Sequence, residues 1–108
     1  MQLQDKPFRQ IKSGEKDIEL RLFDEKRQKI KTGDIITFSN KETKEIVTCG
    51  VVRITRAVIF SELFEGSITK ERAGFGREDD IDELMSGYYS SDKIAQYGAV
   101  GIVIKLVK

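Results

Sequence analysis

The period of the apolar positions changes several times along the chain. In "DKPFRQIKSG" (residues 5–14), Phe8 and Ile11 recur at i, i+3 among charged positions, the spacing of one helix face. Asp5 is placed to cap that helix, Pro7 fits its first turn and Gly14 supplies the stop. "DIELRLF" (17–23) switches to alternation, with Ile18, Leu20 and Leu22 on one face of a strand and Asp17, Glu19 and Arg21 on the other. "DEKRQKIKTGD" (24–34) reads as a polar turn or single helical turn closed by Gly33. "DIITFSN" (34–40) and "EIVTCGVVRITRAVIF" (45–60) are rich in β-branched residues and are joined by the polar "NKETK", which predicts a hairpin. Gly50 inside the second run predicts a bulge or bend.

Beyond residue 60 the pattern alternates between clear and weak. "FSELFEG" predicts a short helix ending at Gly66, and "SITKERAGFGRE" (67–78), with little periodicity, reads as a mobile loop. "DDIDELMSGYY" (79–89) is a better helix: Asp80 and Glu83 fit a capping box, and Ile81, Leu84 and Met85 share a face. "YGAVGIVIKLVK" predicts a last strand buried on both faces. Helix, strand, turn, strands, helices, strand is neither a βαβ order nor a bundle. It fits a small, mostly β (α+β) barrel whose openings are covered by short helices, because closure removes sheet edges in so short a chain.

Composition narrows the chemistry. With 108 residues, one Pro and no repeat or linker, residues 1–108 are expected to form one domain with a single modest core. One cysteine, Cys49, allows no internal disulfide and reads as an inert core thiol, and no disulfide-linked partner is expected. The chain has no histidine, so no zinc site of Cys/His spacing and no Cys/His or Ser/His nucleophile pair can be built, and no metal or cofactor is expected. "MQLQDKPFRQ" lacks the apolar core of a secretory signal and no apolar run reaches a membrane span, so the expectation is a cytoplasmic protein without a membrane partner.

The net charge of +1 hides an uneven distribution. Residues 1–31 hold nine Lys/Arg against six acids, whereas residues 61–92 hold three against nine. A basic first third could carry a local footprint for phosphates. Within it, Glu19 and Arg21 lie two apart on one strand and point the same way, so the carboxylate can hold the guanidinium in a fixed fork. Lys16 sits where helix passes to strand and can turn to the same side. With a carboxylate three residues away, it is expected to be a charged, binding lysine.

Gly14, Lys16, Glu19 and Arg21 make the pattern G-x-K-x-x-E-x-R. With the preceding "PFRQIKSG", the "GD" at residues 33–34 and the closing "YGAVGIVI", this resembles the ASCH domains over nearly the whole chain. The resemblance implies a PUA-like β-barrel in which the motif's charged residues line a cleft between barrel and helices. It also implies RNA or nucleotide-like ligands. One branch of the family resembles small amidohydrolases acting on N4-acetylcytidine, in which a Lys of this motif works with a Thr and a separate Glu. Lys16 matches that Lys, but Glu19 occupies the Thr position, and Glu78 is the nearest candidate for the separate carboxylate.

Two functions follow. The first is a binding module that takes RNA or a nucleotide through Lys16, Arg21 and nearby Lys12 or Arg27, with Glu19 orienting Arg21 or reading an amino group. Tyr89 is a candidate stacking residue; Tyr88 and Tyr97 could also stack, or all three could be half-buried plugs. The second is a metal-independent hydrolase of a modified nucleoside or of RNA with Lys16 and Glu19 as its acid and base and Glu78 as a further candidate. Glu19 in place of Thr favours binding.

Overall fold

The computed structural model of the protein describes residues 1–66 and 68–107. A two-residue strand β1 (Gln2–Leu3) leads into helix α1 (Asp5–Ser13), followed by strand β2 (Ile18–Leu22) and the hairpin β3 (Ile35–Asn40) and β4 (Ile46–Ala57). Helices α2 (Ile81–Met85) and α3 (Ser91–Tyr97) precede the last strand, β5 (Ala99–Leu106). Single 3₁₀ turns occupy Arg27–Lys29, Phe60–Phe64 and Lys70–Ala73.

The strands form one curled sheet in the order β1-β3-β4-β5-β2, antiparallel except for the parallel β1–β3 pair. This is a half-barrel: β1 and β2 remain its two edges, so the closure expected from chain length is incomplete. The curl has a local cause in β4. Its register against β5 shifts between Val51 and Arg53, two residues beyond Gly50, and the extra residue of such a bulge bends a strand and increases its twist.

Two core clusters lie on opposite faces of the sheet's β2–β5 side. Phe8 and Ile11 of α1 pack with Phe38, Cys49, Val100, Ile102 and Ile104 in one, while Ile18, Leu20 and Leu22 pack with Phe60, Leu63, Ile81 and Met85 in the other. β5 therefore buries both of its faces, which is why its sequence lacks alternation. β2 alternates, but its polar face is not a solvent face. Glu19 pairs with Ile102 and Arg21 with Val100, so both charged side chains turn toward the inside of the curl.

Several local expectations change in detail. α1 is capped at Gln4 rather than Asp5; Asp5 is already helical, and its carboxylate accepts Arg9 Nε at 2.8 and 2.9 Å and Asn40 Nδ2 at 3.0 Å. Gly14 ends the helix in the left-handed conformation (φ +88°), its N–H donating to the Ile11 carbonyl. The segment beginning at Ile68 is packed rather than loose: Ile68 and Ala73 are buried, and the Arg72 guanidinium forms a two-pronged pair with Asp17 at 2.9 and 3.1 Å. Ser67, which opens that predicted loop, lies outside the described residues. α2 keeps one half of the expected capping box, with Asp80 Oδ1 accepting the Glu83 N–H, but it spans only Ile81–Met85 and Leu84 is exposed rather than in the core.

No helix among the described residues is long and apolar enough to cross a membrane. No group of three or more His, Cys, Asp or Glu side chains among them could hold a metal ion.

Candidate functional site

The seam between the two edge strands is the floor of a cleft of about 470 Å³. Its walls are β1 and the first turns of α1 on one side and the 73–79 loop and α2 on the other. Such a volume falls within the range of small-molecule sites, about 300–1,000 Å³.

Three charged residues span the seam. Glu19 is buried from β2 and uses both carboxylate oxygens: Oε1 lies 3.0 Å from Lys16 Nζ and Oε2 lies 3.1 Å from Arg21 Nη2. Arg21 Nη2 also donates to the Gln2 carbonyl of β1 at 3.3 Å. The guanidinium thus joins one sheet edge to the other where backbone pairing stops. Both of its hydrogen bonds leave from Nη2, so Nε and Nη1 keep donors without a partner among the described residues.

Lys16 reaches this point because the Gly14 turn reverses the chain after α1, and the Lys16 N–H then donates to the Gln10 carbonyl at 3.0 Å. Its stem is covered by the 70–76 loop. Gly74 lies in the left-handed region (φ +86°) over that stem; a Cβ there would sit 2.7 Å from Gln10 Oε1 and 3.4 Å from Lys16 Cδ. The conformation is what calls for glycine, since the nearest atom is the movable end of the Gln10 side chain. The result is a lysine only 8% exposed, with its ammonium against a carboxylate.

The lining carries four cationic side chains, Lys6, Lys16, Arg21 and Lys41, against the two carboxylates of Glu19 and Asp79. Asp79 is further committed by accepting the Gly76 N–H. Positive charge also gathers at the adjoining end of β1. The Met1 amine has its pKa lowered, first by burial and then by the nearby Arg21, Lys26 and Arg27 cations.

Of the residues singled out from the sequence, Lys16, Glu19, Arg21 and Tyr89 come together in the lining. Lys12 does not: it lies on the exposed side of α1 with Nζ 2.7 Å from Glu45 Oε2, and that contact holds the Glu45 carboxyl below its usual range. Arg27 is turned to Asp24, with Nη1 3.2 Å from Oδ2, and Glu78 is exposed beside the lining residue Asp79. Tyr89 is partly committed to the core, its ring parallel to Phe60 with centroids 6.0 Å apart.

Sequence reasoning missed Gln2, Gln4, Gln10, Lys6 and Lys41 as lining residues. Two residues of β1 carry no detectable period, and Lys41 is brought to the rim only by the turn around buried Asn40. There Asn40 Oδ1 accepts the Glu42 and Thr43 N–H groups, and Lys41 N–H donates to the Leu3 carbonyl. The available hint was "MQLQ", whose alternation is too short to separate from chance.

The chain and its curled sheet match a described class of domain. Residues 1–108 match the ASCH domain family, and the chain belongs to it. Among solved structures, the chain is similar to the crystal structure of hypothetical protein PH0355, with 33% identity and a TM-score of 0.84 over 99% of this chain and 96% of that one. It is also similar to the solution structure of protein PF0455 from Pyrococcus furiosus, with 31% identity and a TM-score of 0.70 over 100% of this chain and 96% of that one. No curated protein matches the chain.

Proposed function

We propose that the cleft binds RNA or a nucleotide, with Arg21 and Lys16 as its principal cations and Glu19 as the residue that positions both. The buried Lys16–Glu19–Arg21 arrangement carries this reading. Ion pairs of this kind seldom add stability over an apolar replacement, so three charges held inside a cleft with unused guanidinium donors favour a ligand role. The cationic surplus of the lining suits phosphate, and ASCH membership favours RNA.

The hydrolase alternative on N4-acetylcytidine is less well supported. Glu19 replaces the hydroxyl residue, and the only side-chain hydroxyls among the described lining residues are the phenols of Tyr88 and Tyr89.

The test is titration of isotope-labelled protein, followed by NMR, with nucleoside monophosphates and short single- and double-stranded RNAs. Shifts are expected at residues 16–21, and Arg21→Ala should abolish them. Affinity for a single strand should fall with salt at a log–log slope of about −0.7 per phosphate contact. Binding of neutral N4-acetylcytidine alone, independent of salt and followed by turnover, would refute the binding reading.

A further inference from the structure

One aromatic group at the cleft rim belongs to neither core. After α2 the Tyr88 N–H donates to the Met85 carbonyl at 3.0 Å, and the chain then sends Tyr89 inward against Phe60. Tyr88 stays 70% exposed, lines the cleft, and its hydroxyl has no hydrogen-bond partner among the described residues. Leu84, four residues earlier, is 42% exposed and lines the same wall. Exposed apolar residues are individually ordinary. Here two of them, one at the end of α2 and one in the turn after it, line a cleft that also has a wall of a different kind.

That wall holds Gln4 and Gln10, whose side-chain amides make no hydrogen bond among the described residues, and the floor holds the Arg21 donors left free by Glu19 and Gln2. An aromatic face, uncommitted amide donors and acceptors, and a cation thus line one cavity. A nucleobase with its phosphate offers the complement of all three: a π-face, a polar edge and an anion.

We propose that Tyr88 is the stacking platform for an unpaired nucleobase whose edge is turned to Gln4 and Gln10 and whose phosphate meets Arg21. This rests on the nucleotide-binding reading above and adds to it the need for a free base face. A base inside a duplex has both faces covered and cannot satisfy it.

The test compares wild type, Tyr88→Ala and Tyr88→Phe by calorimetric titration with AMP, with ribose 5-phosphate and with a single-stranded oligoadenylate hexanucleotide. Tyr88→Ala should weaken binding of the base-containing ligands about 5- to 150-fold, the usual contribution of one base–aromatic stack. Tyr88→Phe should keep the affinity. Ribose 5-phosphate, which has nothing to stack, should bind wild type and Tyr88→Ala alike. A loss seen with both AMP and the hexanucleotide assigns the site to free and RNA-borne bases; a loss with the hexanucleotide alone assigns it to RNA.

Equal affinity of wild type and Tyr88→Ala for AMP and the hexanucleotide would overturn the stacking role and leave the nucleotide reading standing. An equal loss with ribose 5-phosphate, or duplex RNA bound as tightly as the single strand, would also overturn it. Wild type that binds neither AMP nor the hexanucleotide would overturn both.

Discussion

Replacing Glu19 by Gln removes the negative charge between two cations while nearly preserving shape. At an effective dielectric of about 20, each contact near 3 Å has a gross attraction of roughly 5 kcal/mol. The desolvation of the three ions offsets much of this, so the gross figure is not the stability change. What decides the outcome is the state left behind. Lys16, with its side chain 9% exposed, and Arg21, 18% exposed, would face each other across a neutral amide. Removal of one partner of a buried pair costs about 3–5 kcal/mol; because Arg21 retains some solvent and the Gln2 carbonyl, we expect about 3 kcal/mol. That is a large part of the 5–15 kcal/mol typical of a domain.

The assay is urea unfolding followed by circular dichroism, with a lowered midpoint and an unchanged slope as the sign of a pure stability loss. The double variant Lys16→Met/Glu19→Leu separates charge from shape. It removes the more buried pair together and leaves only the more exposed Arg21 without its carboxylate, so its cost should be smaller than that of Glu19→Leu alone, and the cycle through the single variants Lys16→Met and Glu19→Leu should show coupling of roughly 0.5–3 kcal/mol. Inorganic phosphate should restore Glu19→Gln more than it stabilises wild type, because the anion replaces the missing charge and binds only the folded state. A Glu19→Gln cost below about 0.5 kcal/mol, the level of an ordinary surface change, would refute the reasoning.

Three further outcomes are expected. Gly74→Ala should destabilise by about 1–2 kcal/mol, the cost of a left-handed residue with a Cβ, and Gln10→Ala should not relieve it because the Gln10 side-chain end can move aside; thermal melts of the single and double variants check it. Burial raises the Cys49 thiol pKa, so the neutral thiol's contribution is complete below the ordinary thiol value and is lost as pH rises through the folded value; native alkylation should be slow and should track unfolding. Hydrogen bonds from Asn40 and then Arg9 lower the Asp5 pKa, so its contribution is present above the ordinary aspartate value and is lost as pH falls through the lower folded value. Asp5→Asn should flatten the acid limb of the stability profile relative to wild type.

The elements with a clear period were legible: α1, β2, the hairpin and β5 all lie close to where the apolar spacing puts them. α3 and β1 were not. α3 has its signals in Ser90, whose Oγ accepts the Lys93 N–H, and in Gly98, but among its residues only Ile94 and Tyr97 offer large apolar side chains, too few to show a helix face. The loop from residue 68 looked loose because Ile68, Ala73 and Phe75 follow neither period, yet they are held by tertiary contacts that a local pattern cannot report. The direction of Glu19 and Arg21 could be read from β2 alone. Their burial could not, since it depends on the sheet curling over them.

Charge near the motif in sequence is a partial guide to charge near it in space, since Lys6, Lys16 and Arg21 of the basic first third line the cleft. Lys12 and Arg27 belong to the same third but lie outside the lining, paired with Glu45 and Asp24, and Arg27 acts on the site's end only through its charge on the Met1 amine. Lys41 lies far outside that third and reaches the rim because β3, parallel to β1, carries the chain back to the seam before the Asn40 turn. The place where Arg21 meets the Gln2 carbonyl is set by the two sheet edges. β1 is only two residues long, so it cannot extend the ladder along the full length of β2, and Arg21 crosses the remaining gap with a side chain. A strand long enough to close the barrel would pair the backbone at the place where the guanidinium now keeps free donors. The open seam is therefore the structural condition for the site.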